Sequence, residues 1–186
     1  MFKWYVFAAG FGLCLAGLGG CGGEGEGQDL GTISVRVPEG WMIEPPSSRI
    51  RKAQYVLSGQ GADAEDASLV VFYFGPGQGG SVEANLKRWY GQFKQPDGRS
   101  SEEVARVSKK TVSGMQVTAA DVSGTYAPAP MGLMAPVGRP KPNYRLLAAI
   151  VESPQGPYFF KLTGPEGTVG YWKGTFDKFI ESVRRK

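Results

Sequence analysis

The sequence predicts an α+β domain: a mainly antiparallel sheet with helices packed on it as an α/β/α sandwich. Three observations carry that prediction. Short strand-like runs separated by Gly, Pro and Ser turns recur along the chain. Leu69 to Phe74, LVVFYF, is apolar at every position, the pattern of a central strand covered on both faces. Two further segments, one central and one C-terminal, carry apolar side chains at helical spacing.

Thr32 to Val37 alternates and ends at Pro38-Glu39-Gly40-Trp41, which predicts a strand and then a turn. Arg51 to Leu57 alternates again, and Gly59 to Asp66 is a polar loop before the apolar strand. The first helix starts with Ser81 as N-cap; Val82, Leu86, Trp89, Tyr90 and Phe93 fall on one side, with Lys87 and Arg88 facing away. Glu102-Glu103 then starts an extended run, its two carboxylates on opposite faces. Val104 to Val112 and Met115 to Tyr126 form a hairpin across Ser113-Gly114. Tyr144 to Glu152 and Tyr158 to Thr163 form another across Ser153 to Gly156. The last helix starts near Pro165-Glu166 and packs through Val169, Trp172, Phe176, Phe179, Ile180 and Val183. Trp41, Trp89 and Trp172 read as core aromatics.

This order, with Pro38-x-Gly40-Trp41, the strand running into Phe74-Gly75, Arg88-Trp89 in the first helix, and Phe160-Lys161-Leu162-Thr163-Gly164-Pro165, resembles the PsbP-like fold over residues 31 to 184. It is also similar to a set of bacterial lipoproteins of unknown function. PsbP-like proteins of photosynthetic organisms, and the Ran-binding import factor that shares their fold, are binding modules, so the resemblance implies an adaptor. Fold alone does not fix function, and neither relative's binding motif is present here.

The N-terminus predicts location. Lys3 supplies a short positive start, Trp4 to Leu18 carries no charge, and small residues lead to Cys21 in Leu18-Gly19-Gly20-Cys21. The tetrapeptide resembles the lipobox of bacterial lipoproteins. That resemblance implies cleavage before Cys21, diacylation of its sulfur, and residues 1–20 as a signal peptide. An uncleaved span is the alternative, but the apolar run is shorter than the roughly 20 residues a span needs. Gly22 after the cysteine implies the outer membrane, facing the periplasm, if the host has two membranes. Residues 21–30, the acylated cysteine and a Gly/Glu-rich stretch, read as a flexible tether, leaving 31–186 as a single domain.

Composition excludes several chemistries. There is no histidine, so a Ser-His-Asp triad, His-ligated zinc and the commonest general base are absent. The two cysteines are Cys14, inside the signal, and Cys21, consumed by lipid, so the mature domain has no disulfide or free thiol. Setting aside Lys3, Glu24, Glu26 and Asp29 leaves 20 basic and 14 acidic residues in the domain. The charges are scattered and no nucleic-acid module motif accompanies them, so no nucleic acid is expected as partner. No cofactor or metal is expected; Asp63, Glu65 and Asp66 lack the ligand spacing of a calcium loop and read as solvated.

Two segments are candidate sites. Gly75-Pro76-Gly77-Gln78-Gly79-Gly80 is a literal G-x-G-x-x-G between a strand and a helix. The acidic residue that would follow a parallel strand in a dinucleotide site is missing, so a tight turn is expected, with Gly77, Gly79, Gly80 and Ser81 as weak candidates for another anion. Ala127 to Pro142, APAPMGLMAPVGRPKP, is a sixteen-residue connection with five prolines. Met131, Leu133, Met134 and Val137 offer adaptable apolar contact, and Arg139 and Lys141 supply charge, which suits a partner surface. The alternative is that the same residues cover a sheet edge or one end of the core. The expectation is a monomeric, lipid-anchored, non-catalytic module that binds another envelope protein. A small-ligand or lipid-binding module comes second, and an enzyme without His or Cys chemistry third.

Overall fold

Alternation within one central strand sorts the interior into two layers. The computed structural model describes residues 25–60, 65–128 and 138–186. In chain order the elements are β1 (Glu26–Asp29), β2 (Ile33–Val37), β3 (Trp41–Glu44), β4 (Arg51–Leu57), β5 (Ala67–Tyr73), α1 (Val82–Tyr90) and β6 (Phe93–Lys94). Then follow α2 (Ser101–Val104), β7 (Arg106–Val112), β8 (Met115–Tyr126), β9 (Lys141–Ser153), β10 (Gly156–Pro165), α3 (Glu166–Glu181) and β11 (Arg184–Arg185). An eight-stranded antiparallel sheet runs β3-β4-β5-β10-β9-β8-β6, with β7 also on β8, and β1-β2-β11 form a small second sheet. This is the expected α+β sandwich.

The long hairpins rest on local turn chemistry. Ser113 and Gly114 both take positive φ, 50° and 76°, the pairing a two-residue type I′ hairpin requires. On β10, Tyr158, Phe160 and Leu162 point to one face and join Tyr55, Leu69 and Val71 under α3 and the small sheet. Phe179 of α3 is the hub there, its ring 4.9 Å from Trp41, 5.7 Å from Tyr55 and 5.8 Å from Phe160. Phe159 points to the other face, where Trp89 and Tyr90 of α1 pack on Leu146, Ala148 and Ile150. Trp41 and Trp89 are buried core residues as expected, and Trp172 packs against the core with its indole N–H donating to the Ser58 carbonyl, 3.0 Å.

Four expectations need correction. The folded region begins before Gly31: Glu26–Asp29 is a strand paired with β2, where a tether was expected. The hairpin closes because Asp29 Oδ1 accepts from the Gly31 N–H, 2.7 Å, Gly31 sits at φ 111°, and Leu30 is buried. Glu102-Glu103 is helical, since the Ser100 hydroxyl accepts from the Glu103 N–H while the Glu103 carboxylate accepts from the Ser100 N–H, a complete capping box. Phe93 belongs to β6, not to the first helix. Finally, β5 is sealed on one face only: Leu69 and Val71 are fully buried, Val70 and Phe72 half-buried, and Ser68 exposed.

Candidate functional site

The uncovered half of the α1 face holds the site. Helix α1 spans nine residues and lies over the β9-β10 side, anchored by Trp89 against Phe159. Beyond it, β4, β5, β9 and β10 leave a surface cleft of about 330 Å³, lined by Arg51, Phe72, Tyr126, Lys141, Tyr144 and Lys161 among others. Lys161 occupies the position on β10 that continues the Phe159 side of the strand, so its side chain enters the sheet face where an apolar residue would be ordinary.

Lys161 Nζ donates to Gln92 Oε1, 2.6 Å, and lies 5.6 Å from the Tyr126 ring centroid. Tyr126 and Tyr144 stack at 5.8 Å with an interplanar angle of 5°. Lys141 Nζ lies 5.0 Å from the Tyr144 centroid and donates to the Tyr144 hydroxyl, 2.9 Å. A stacked tyrosine pair therefore carries one lysine at each end. Arg51 adds a third cation, 5.6 Å over the Phe72 ring, with its guanidinium donating to Gln54 Oε1, 2.9 Å.

The two lysines differ in their electrostatics. Lys141 pairs with the Glu65 carboxylate, which, with Tyr144, raises the lysine above its ordinary value and holds Glu65 below the usual carboxylate range. Lys161 forms no ion pair among the described residues, and burial, aided by repulsion from Arg88, lowers it to about 8. An ammonium that is costly to leave unpaired, at the base of an aromatic cleft, is chemically suited to receive a carboxylate or other anionic group.

Both ends of the Ala127–Pro142 connection meet this cleft. At one end the Ala127 N–H donates to the Gln92 carbonyl, 2.7 Å, while the Gln92 side chain receives Lys161; at the other stands Lys141. Arg139 is exposed beside it. Met131, Leu133, Met134 and Val137 lie outside the described residues, as do Cys21 and Asp63. Lys161 was not recognised as a site residue from the sequence. Its signal was a lone cation inside Tyr158-Phe159-Phe160-Lys161-Leu162, a central strand.

The glycine motif lies at the other cleft, about 550 Å³, lined by Gly77, Gly80, Ser81, Glu83, Lys109 and Glu152 among others. Its glycines serve the turn: Gly75, Gly77, Gly79 and Gly80 all have positive φ, and a Cβ on Gly79 would stand 2.7 Å from the Phe159 ring. Ser81 Oγ accepts from the Ala84 N–H, 3.1 Å, and the Glu83 carboxylate is held low by its own backbone N–H and the Ser81 hydroxyl. A carboxylate of the chain thus already takes donors that an external anion would need. Glu65 and Asp66 are likewise engaged, Glu65 with Lys141 and Asp66 Oδ1 with the Gly59 N–H, 2.7 Å.

No family model and no curated protein matches this chain. Among solved structures, the solution structure of cyanobacterial PsbP (CyanoP) from Synechocystis sp. PCC 6803 is 14% identical, covers 91% of this chain and 99% of its own, and has a TM-score of 0.51. A Pseudomonas aeruginosa protein of unknown function, described as a putative regulator, is 12% identical and covers 88% of this chain and 99% of its own, with a TM-score of 0.48. The chain therefore has a PsbP-like fold.

Proposed function

We propose that this chain is a lipid-anchored cell-envelope lipoprotein, acylated at Cys21, whose domain is a non-catalytic binding module for another envelope protein. In a host with two membranes it faces the periplasm from the outer membrane. The observation that carries the reading is the convergence of both ends of the Pro/Met-rich connection on the cleft that holds Lys161 and the stacked Tyr126 and Tyr144. A partner gripped by the connection would place an acidic side chain against the Lys161 ammonium, which lacks a carboxylate among the described residues. A small anionic ligand in the same cleft is the second reading, favoured by Lys161 alone.

The test is a photo-crosslinking residue at Leu133 in intact cells, with a control at exposed Lys87. One recurrent protein adduct from position 133, lost in Lys161→Gln, supports the adaptor. No specific adduct from position 133 sinks the protein-partner reading and leaves the small anionic ligand.

A further inference from the structure

Strand β1 starts at Glu26, and only Gly22, Gly23, Glu24 and Gly25 separate it from Cys21. Extended chain covers at most about 3.6 Å per residue, so the Cys21 and Glu26 Cα atoms lie within about 18 Å of each other. A compact domain of this size, with a radius of gyration of about 15 Å, is roughly 40 Å across. An anchor on so short a lead brings the surface around Glu26 to the bilayer and keeps the far side away from it.

That surface has a distinct composition. Gly25 packs on the Val37-Pro38 backbone, a Cβ there standing 3.2 Å from Pro38 Cα, and the chain then turns through Gly40 into β3. β3 is the outer edge of the eight-stranded sheet. Successive residues Met42 and Ile43 point to opposite faces of this edge and are 51% and 54% exposed. Gly40 abuts the Trp172 indole, and that ring meets Tyr171 edge-on at 5.0 Å; Tyr171 is 62% exposed. Among the described residues these three are the most exposed large hydrophobic side chains, and the Pro38–Gly40 turn connects them to the lead: Gly25 packs at its start, β3 leaves its end, and Gly40 abuts the Trp172 that touches Tyr171.

We infer that the β3 edge and Tyr171 form a membrane-apposed surface, seated at the headgroup boundary of the bilayer that holds the Cys21 acyl chains; this rests on the lipid anchor proposed above. The occupant follows from the short lead and from where it ends. A free sheet edge with apolar side chains on both faces is a template for edge-to-edge pairing unless something covers it, and a bilayer interface does so. Tyrosine suits that depth, with an apolar ring and a polar tip. Glu26, Glu39 and Glu44 lie along the same stretch, so the contact is apolar and does not depend on anionic lipid.

The acylated full-length mature protein is placed in vesicles of phosphatidylethanolamine and phosphatidylglycerol. With the Cys21 sulfur blocked by lipid, Met42→Cys, Ile43→Cys, Tyr171→Cys and a Lys87→Cys control each carry one reactive thiol for an environment-sensitive fluorophore. The expected result is quenching of positions 42, 43 and 171 by lipid-borne nitroxide, with iodide quenching several-fold weaker than at position 87. Iodide quenching equal to that at position 87 overturns the inference. So does protection that persists without vesicles in Cys21→Ser and grows with protein concentration, which would assign the edge to a second copy. Metabolic labelling with an alkyne fatty acid separates the two levels. An unlabelled wild-type chain overturns both the anchor and this surface, whereas a labelled chain with iodide-accessible probes overturns the surface alone.

Discussion

The two faces of the sheet are built to different standards. Under α3 and the small sheet, inward positions carry apolar or aromatic side chains, and Tyr55, Leu69, Phe160, Leu162 and Val169 are fully buried. Their cover is a sixteen-residue helix. On the opposite face the cover is the nine-residue α1 and the four-residue α2, and where it stops, the sheet carries Lys161, Thr163, Ser68 and Gln54. Adjacent residues of one strand, Phe160 and Lys161, thus serve different ends. The first face stabilises the fold, and the second holds a charge in a cleft at a cost in stability.

The largest expected effect breaks the closed face. Phe160→Ala removes a fully buried ring 5.8 Å from Phe179 and is expected to destabilise by about 3–5 kcal/mol in urea denaturation. Phe72→Ala, half-buried on the open face, is expected to cost about 1 kcal/mol. Equal losses would erase the distinction between the faces.

Lys161→Met tests the open face with the opposite sign. It is expected to stabilise the fold by about 1–3 kcal/mol at neutral pH, because it replaces a half-buried cation that has no carboxylate partner among the described residues. The pH dependence follows from a folded-state value lowered to about 8 from 10.5. Below 8 the lysine is protonated in both states and the full burial cost is present. Between 8 and 10.5 the unfolded chain binds more protons, so wild-type stability rises with pH relative to the variant. The gain from Lys161→Met should therefore shrink steadily across that window, as denaturation at stepped pH will measure. A pH-independent difference would mean that the ammonium is already well solvated.

The same contrast governed what could be read from the chain. Regular elements with a strong period were legible: β4 spans the predicted Arg51 to Leu57, α1 starts after the Ser81 cap, and α3 starts at the Pro165-Glu166 signal. Elements held by long-range pairing were not. β1 has the composition of a linker and becomes a strand only because β2 supplies its partner, and β3 hides in the residues after a turn. The Gly75–Gly80 segment was read as a tight turn for the right steric reason, since Gly79 lies where a side chain would strike Phe159. Lys161 was missed because strand alternation says which face a residue joins, not whether a helix covers it there. The helix that stops short is α1, and its length against the sheet is a property of tertiary packing.

The smallest effect sharpens the comparison by probing how locally the open face is covered. α2 is one turn long, and its main local support is the capping box, in which Ser100 Oγ lies 3.2 Å from the Glu103 N and Glu103 Oε2 lies 3.0 Å from the Ser100 N. Ser101, buried behind it, donates to the Phe93 carbonyl, 2.8 Å, and so ties α2 to β6. Ser100→Ala is expected to cost about 0.5–1 kcal/mol. Because so short a helix opens without the rest of the domain, that cost should appear as faster amide exchange in Ser101 to Ala105, with amides of β9 and β10 unchanged. Matching acceleration in β9 and β10 would show that this cover is part of the cooperative core, and the two faces would then differ in composition but not in how they unfold.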